Sequence, residues 1–409
     1  MNYHEWLAKG APPGKGCSLE TIQELPAEFP FFSITAFTNT VSQFRTRLGK
    51  TCYFSAPMTH ASGAAFRQLI QGHLAEENEH AKYTGFTQMY TADALLHNSL
   101  LRDTVLSAAA PGENIILQLC GNNPSNFLAA AKVLSSSSLA PQIIALDVNL
   151  GCPASCASSR GYGLYIAQNW PLVHQILSEV SSAQLFPVTC KIRPLGTIEK
   201  TVDYMLLLTL SGASGITIHM RHTTRQGKHA QSVKPAYLEF EEIVYAFRRR
   251  LDVFLDSIGK RKPTKREPNL YPVIILNGGV KSRQEADDLL SSYPADGIMI
   301  GVGLLKDPTC LLKNTPDTFE KCKTVFWIKE ALKYLDICES LSQESVDQED
   351  SLKVTPMAGY KEVVGHTMRF MQNISAKRFN EPINKTKSIA ELRSLLNKIL
   401  CAQTSSCSS

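Results

Sequence analysis

The chain has 409 residues, of which 44% are hydrophobic and 19% are charged, a composition typical of a globular protein with room for one large domain and smaller additions. The formal net charge of +5 is small, so any polyanion would have to be bound by local basic patches. No apolar run is long enough to span a membrane, and the eleven cysteines include no Cys-x-x-Cys pair. We therefore expect no membrane span, zinc ribbon or compact disulfide framework.

The cysteines indicate a reducing compartment, and we expect a cytoplasmic or nuclear protein. Residues 1–16 are polar and lack the apolar core of a signal peptide, while an organellar address stays open. We also expect no metal and a monomeric chain.

Short apolar runs, rich in β-branched residues, alternate with helix-like segments from residue 51 onward. The runs predict eight strands, at residues 51–57, 84–90, 114–119, 143–151, 187–193, 215–221, 272–279 and 296–303. The intervening segments predict amphipathic helices at residues 64–73, 92–101, 125–134, 170–181, 199–210, 237–251 and 283–290. Eight such repeats favour an α/β fold, a closed (β/α)8 TIM barrel, with an open doubly wound sheet as the alternative.

The flanking segments divide the chain further. Residues 1–50 are an N-terminal extension that we expect to cover one end of the barrel, which we place at residues 51–315. Helix-like stretches at 319–339 and 360–370, joined by an acidic serine-rich linker, predict a small helical C-terminal domain over residues 316–400. The last residues, 401–409, are of low complexity and predict a disordered tail.

Two groups of basic residues are candidates for contact with phosphates; the ordinary alternative is a solvated loop or a localisation signal for the first group and a solvated helix face for the second. One is a basic insertion at about residues 252–271. The other lies in the C-terminal helical segment and comprises Lys361, His366, Arg369, Lys377 and Arg378.

Active sites of TIM barrels are built at the carboxyl ends of the strands, and here those ends are polar. Cys152 follows the fourth predicted strand in a Gly-Cys-Pro turn, and glycines follow the last two strands, where phosphate sites usually form. Each residue alone has an ordinary structural explanation, such as a buried thiol or a tight turn. Their coincidence at successive strand ends predicts a site for a phosphate-bearing ligand.

Several motifs resemble those of the tRNA-dihydrouridine synthase family, FMN-dependent barrels with a helical C-terminal domain. The motifs are Ala56-Pro57-Met58, the run from Asp147 to Pro153 followed by Arg160-Gly-Tyr-Gly163, the run from Val188 to Arg193, His219 with Arg221, Asn277-Gly-Gly279 and Ile300-Gly-Val-Gly303. Their order is the family's, and the resemblance covers residues 53–308. The run from Pro187 to Arg193 is similar to the eukaryotic branch that modifies the D-loop.

The resemblance implies a catalytic proton donor, Cys152. It implies flavin contacts from Pro57, Met58, Thr59, Gln118, Lys191 and His219, and a flavin phosphate on Asn277, Gly278, Gly279, Gly301 and Val302. We expect uracil contacts from Asn149, Arg193 and Arg221. The chain departs from the family at Val302, where arginine is usual, at Met220, which replaces a glycine, and at Leu164, which replaces a small residue.

The expected reaction is reduction of the C5=C6 bond of a uridine in tRNA. FMN supplies hydride, the thiol supplies a proton, and NADPH reloads the flavin. One alternative is an FMN barrel that acts on a small molecule, as dihydroorotate dehydrogenase does. The other is a flavin-free barrel that binds RNA. The departure at Val302 favours the last, whereas the combination of Cys152, Lys191 and His219 favours the enzyme.

Overall fold

The computed structural model describes residues 32–221, 235–258, 270–314, 323–344, 360–374 and 377–407. Its centre is a closed parallel barrel of eight strands, with one short extra strand beside it. The strands are β1 Tyr53–Ser55, β2 Tyr83–Phe86, β3 Tyr90–Thr91, β4 Ile115–Cys120, β5 Ile143–Asn149, β6 Val188–Ile192, β7 Ala213–His219, β8 Val273–Asn277 and β9 Gly297–Ile300.

Pairing between β2 and β4 closes the ring, since every other neighbour in the barrel is also paired in parallel. The predicted TIM barrel is therefore confirmed, and the doubly wound alternative is wrong. The predicted strand at residues 84–90 is divided in two: β2 ends at Phe86, and Tyr90 rejoins the sheet farther along β4, opposite Leu119. The loop between them places Met89 in the cavity described below.

Helices surround the barrel and continue beyond it. They are α1 Ile34–Leu48, α2 Ala64–Glu76, α3 Ala92–His97, α4 Ser99–Leu106, α5 Pro124–Ser135, α6 Ser155–Arg160, α7 Trp170–Ser182, α8 Ile198–Leu210, α9 Tyr237–Ser257, α10 Arg283–Ser292, α11 Val302–Lys306, α12 Lys323–Glu344, α13 Tyr360–Gln372, α14 Lys377–Lys385 and α15 Ile389–Cys407. The predicted helix at 92–101 is two helices, because Asn98 is extended and its side chain caps α4 by accepting from the N–H of Leu101.

Helix α1 covers the amino ends of the strands. Phe44 is fully buried there in one cluster with Phe54, Ile116 and Val273 from three different strands. Gly215 leaves room for this ring, since a Cβ on Gly215 would lie 2.8 Å from Phe44 Cε1. The barrel is thus closed by apolar side chains at this end, which leaves its carboxyl end for a ligand.

The C-terminal helices dock on α2 through buried polar contacts. Glu362 Oε1 accepts from the N–H of Gly63 at 2.9 Å, and His73 Nε2 lies 2.7 Å from Glu330 Oε2. His366 is fully buried and stacks on Phe66, with ring centroids 4.3 Å apart. The predicted exposure of His366 to phosphate is therefore wrong, because the helix turns that face toward the barrel.

Two further expectations meet the structure only in part. Helix α15, which is anchored by buried Leu392 and Leu396, runs to Cys407 and so enters the segment predicted as a disordered tail, whose bounds stay a prediction. The predicted basic insertion begins inside α9, which runs to Ser257, and its cluster from Lys260 to Arg266 lies outside the described residues. The same holds for the side chains of Lys377 and Arg378. Among the described helices, none combines the length and apolarity needed to cross a bilayer.

Candidate active site

A cavity of about 520 Å³ opens at the carboxyl ends of the barrel strands. Its wall includes every residue singled out from the sequence as a site residue: Pro57, Met58, Thr59, Gln118, Asn149, Cys152, Lys191, Arg193, His219, Arg221, Asn277, Gly278, Gly279, Gly301 and Val302. Parallel strands in a closed barrel all end on one face, which is why these distant positions meet.

The loop after β5 presents Cys152 to the cavity. The side-chain oxygen of Asn149 accepts from the N–H groups of Gly151 and Cys152 at 3.2 and 3.1 Å. Gly163 packs against the same turn with a φ of +64°, and a Cβ there would lie 2.8 Å from the carbonyl oxygen of Cys152. The second glycine of the Gly-Tyr-Gly motif is therefore required both by its left-handed backbone and by close contact.

Arg193 ties the Cys152 loop to the next strand end. Its Nε donates to the carbonyl of Gly151 at 2.9 Å, and its Nη1 donates to the carbonyl of Arg221 at 2.5 Å. Burial lowers the pKa of Arg193 to about 10, so the guanidinium is still charged near neutral pH. The predicted substrate residue thus has a clear structural task in positioning the loop.

Lys191 and His219 both line the cavity, and both have a lowered pKa. Burial lowers the pKa of Lys191 to about 8, with a further lowering by Arg193 and an opposing effect of Asp147. Burial, reinforced by Lys191, Arg193 and Arg221, holds the pKa of His219 far below its usual range. His219 is therefore a neutral imidazole, whereas Lys191 is largely a cation that forms no ion pair within the described ranges.

A network of buried polar groups forms the floor of the cavity. Gln118 is fully buried, and its amide lies between Asp147 and Asn149. Asn149 Nδ2 donates to Gln118 Oε1 at 2.9 Å and contacts Met89 Sδ at 3.0 Å. Because a thioether is a weak acceptor, the contact with Met89 is the one that a ligand carbonyl would replace.

Glycine turns and two lysines form the rim after β8 and β9. Gly278 has a φ of +128°, and a Cβ there would lie 3.2 Å from His219 Cδ2, so this turn also needs glycine. Lys281 and Lys306 line the same rim, and neither is ion-paired within the part of the chain that the structure describes.

Sequence reasoning missed both lysines, as it missed Met89. Lys306 lies four residues after Val302 in α11, a spacing that places two residues on one helix face and could have revealed it. Lys281 carries no such signal. Among the described residues, no group of His, Cys, Asp or Glu is arranged to hold a metal ion.

Fold and cavity together define a TIM-barrel protein with a polar site where enzymes of this fold carry out catalysis. A family model described as Dihydrouridine synthase (Dus) matches residues 54–254 and 265–404. The chain belongs to the dihydrouridine synthase family.

Its curated relatives include several eukaryotic proteins. A tRNA-dihydrouridine(16/17) synthase [NAD(P)(+)] of Schizosaccharomyces pombe is 27% identical over 271 residues, which cover 66% of this chain and 59% of the relative. A tRNA-dihydrouridine(20a/20b) synthase [NAD(P)+]-like protein of Homo sapiens is 25% identical over 279 residues, which cover 68% and 74% of the two chains. The chain spans 59% of the length of this Schizosaccharomyces pombe relative and 55% of the length of the tRNA-dihydrouridine(16/17) synthase [NAD(P)(+)] of Saccharomyces cerevisiae.

Proposed function

We propose that this protein is a tRNA-dihydrouridine synthase, which reduces the C5=C6 bond of one uridine in tRNA with FMN as hydride carrier and NADPH as reductant. The observation that carries the proposal is the meeting of Cys152, Lys191 and His219 in one cavity from three successive strands. Relatives named tRNA-dihydrouridine synthase [NAD(P)(+)] support the same reaction.

The cavity suits a phosphate-bearing flavin. Its volume lies within the range of about 300–1,000 Å³ that is usual for cofactor sites. Lys191 has no ion pair within the described residues, and Arg221 Nε is buried there without a hydrogen-bond partner. Such groups are costly unless a ligand satisfies them. We assign ring contacts to Pro57, Met58, Thr59, Gln118, Lys191 and His219, and the phosphate to Asn277, Gly278, Gly279, Gly301 and Val302.

FMN, when bound, supplies the hydride that C6 of the uracil receives. The proton for C5 comes from Cys152. The other candidate acid in the cavity is His219, and its pKa excludes it. The pKa of His219 lies far below its usual range, so this imidazole has no extra proton to give. A thiol can donate a proton as negative charge develops on the substrate, and the Cys152 thiol lines the cavity.

The remaining cations and amides orient the reactants. Lys191 stabilises negative charge at the pyrimidine edge of the cofactor, and neutral His219 serves as a hydrogen-bond partner. Arg221 and Asn149 bind uracil oxygens, Asn149 by exchanging its contact with Met89 Sδ. Arg193 assists by holding the Cys152 loop and Arg221 together.

The substrate is a base within folded RNA, which must leave its stack to reach the cavity. We assign the tRNA platform to the C-terminal helices, where Lys361 is exposed, and we expect the chain to work as a monomer without metal or membrane. A small-molecule flavin enzyme would show no salt-sensitive binding to tRNA, which separates that alternative. A colourless protein that FMN cannot reconstitute would favour the RNA-binding alternative.

The proton donor is tested by Cys152→Ala. We expect a yellow, FMN-loaded protein that forms no dihydrouridine on tRNA, measured with purified protein and unmodified tRNA. Cys156→Ala is the matched control: Cys156 is an exposed thiol four residues further along the chain, in α6, and we expect nearly normal turnover. Normal turnover in Cys152→Ala would refute the acid role.

The modified position is identified by mapping dihydrouridine across tRNA from cells with and without the protein. Loss at one position of the tRNA supports the proposal and names the target. An unchanged map would contradict it.

A further inference from the structure

Beneath the Cys152 loop, three buried side chains form one continuous chain of hydrogen bonds. Asp147 Oδ2 accepts from Gln118 Nε2 at 2.7 Å, and Gln118 Oε1 accepts from Asn149 Nδ2 at 2.9 Å. Asn149 Oδ1 then accepts from the backbone N–H groups of Gly151 and Cys152. Asp147 and Gln118 are 0% exposed and Asn149 is 8% exposed, so water cannot substitute for the missing partners if the chain is broken.

This chain has a direction, and its two ends determine it. The far end consists of backbone N–H groups, which can only donate, and the near end is a carboxylate, which can only accept. If either amide turned around, two donors or two acceptors would face each other in a buried place. The second oxygen of Asp147 accepts from Thr189 Oγ1 at 2.7 Å, which holds the carboxylate itself.

Asp147 carries charge under working conditions. Burial raises the pKa of Asp147 to about 6, against the lowering effects of the bonds from Gln118 and Thr189 and of Lys191. At neutral pH most of the molecules therefore contain the acceptor-only form. Nothing else about Asp147 suggests a direct part in the reaction, since it does not line the cavity.

We propose that Asp147 is a positioning residue, whose carboxylate orients the amides of Gln118 and Asn149 and thereby holds the backbone that carries Cys152. The proposal goes one step beyond the proposed function and rests on it only for the role of the thiol. In this proposal the backbone at Cys152 is held by the direction of the hydrogen bonds, and a buried acid alone would not be sufficient.

The sharpest test reverses that direction. In Asn149→Asp, a carboxylate oxygen faces Gln118 Oε1, and turning Gln118 around merely brings its oxygen against Asp147. In Asp147→Asn/Asn149→Asp, the new amide at position 147 can donate to Gln118 Oε1, and Gln118 Nε2 can donate to the new carboxylate at position 149. The N–H groups of Gly151 and Cys152 keep an acceptor, and Thr189 can still donate to the oxygen of the new amide. The carboxylate has then moved from one end of the chain to the other.

The first readout is hydrogen exchange of the Gly151 and Cys152 amides, followed by mass spectrometry. We expect Asn149→Asp to speed their exchange by about tenfold to a hundredfold, the range for a buried polar group left unsatisfied. The double variant should return to within about threefold of wild type. This readout does not depend on enzymatic activity, so it tests the positioning even if the proposed reaction is wrong.

The second readout is steady-state kinetics on tRNA with Asp147→Asn alone. This variant no longer enforces one direction, and we expect kcat to fall by about tenfold with KM for tRNA little changed, because the tRNA platform assigned to the C-terminal helices is untouched. Thr189→Val is the matched control, since it removes the other bond to Asp147 and leaves both amide directions intact. It should lower stability and keep kcat within about threefold.

Two results would overturn the proposal. One is a double variant whose amides exchange as fast as those of Asn149→Asp. The other is a loss of kcat in Thr189→Val equal to that in Asp147→Asn, which would mean that turnover follows stability alone. A wild-type protein without dihydrouridine synthesis would refute the proposed function and leave the exchange result standing.

Discussion

Val302 lies at the end of the cavity where the resemblance implies an arginine, and two lysines share that end. Lys281 and Lys306 line the rim beside the glycine turns, and neither is ion-paired within the described residues. The nearby carboxylate of Asp307 is engaged by Thr309, which donates to it from both its N–H and its hydroxyl group. The rim therefore still offers positive charge to a phosphate despite Val302.

Removing that charge should weaken the binding of FMN and leave the binding of riboflavin unchanged, because riboflavin lacks the phosphate. For Lys281→Met/Lys306→Met we expect FMN affinity to fall by about tenfold to a hundredfold, the worth of one or two charge-assisted contacts. Fluorescence titration of the apoprotein with both flavins measures the difference. Conversely, Val302→Arg should tighten FMN alone.

The control for this pair is Lys132→Met, which removes an exposed lysine on α5, away from the cavity. It should leave both affinities unchanged. Equal losses for FMN and riboflavin in the double variant would show that the lysines support the fold and not the phosphate. A defect confined to tRNA binding would assign them to the substrate instead.

At the scale of elements, α2 joins the barrel to the C-terminal helices. His366 in α13 lies between them, fully buried against Phe66. Its closest carboxylate contact is Glu362 Oε1, 3.9 Å from Nε2. Burial lowers the pKa of His366 to about 3, with a further lowering by Arg369.

This histidine makes the fold sensitive to acid. Below pH 6.5 this histidine is protonated in the unfolded chain but stays neutral in the folded protein. The free energy of unfolding therefore decreases as the pH falls from about 6.5 toward 3. At pH 5 the loss is about 2 kcal/mol. We expect His366→Phe to lose that much less stability than wild type between pH 7.5 and 5, measured by urea unfolding.

Glu362 faces the same space, and burial raises its pKa. This raised pKa changes the stability with pH in the opposite direction, but Glu362 is present in both wild type and His366→Phe. His97→Gln, at an exposed site, should keep the wild-type pH dependence. Parallel stability curves for wild type and His366→Phe would contradict the prediction.

At the scale of the whole molecule, the two ends of the barrel have different tasks. The carboxyl end is an open polar cavity, whereas α1 closes the amino end with apolar side chains. The apolar residues that close the barrel and the polar residues of the cavity thus lie at opposite ends of the strands, which is the usual division in this fold.

Phe44→Ala tests this separation. Truncating a fully buried phenylalanine should cost about 3–5 kcal/mol of unfolding free energy, while FMN affinity of the folded protein stays at the wild-type value. Urea unfolding and flavin titration measure the two quantities. Leu238→Ala, at a side chain that is 73% exposed, should change stability by less than about 0.5 kcal/mol. A parallel loss of flavin binding in Phe44→Ala would show that the two ends are coupled.

The sequence alone determined the elements and the composition of the site. Apolar runs of strand length between amphipathic helices were sufficient to predict the barrel, because such periodicity is a local property. The same reasoning located Cys152, Lys191 and His219, since a residue at the end of a parallel strand must lie on the carboxyl face. What it could not show was how far each strand or helix continues, as at Phe86 and at the end of α15.

Only the tertiary structure decided which polar groups are already engaged. Gln118 and Asp147 are 29 positions apart, and Arg193 and Gly151 are 42 apart, so no local pattern reveals these bonds. Likewise, the cover of α1 over the barrel, the burial of His366 and the presence of Lys281 at the rim depend on packing between distant segments. Periodicity specifies which face of an element is apolar, whereas the partner of each polar atom depends on the approach of elements that are far apart in the chain.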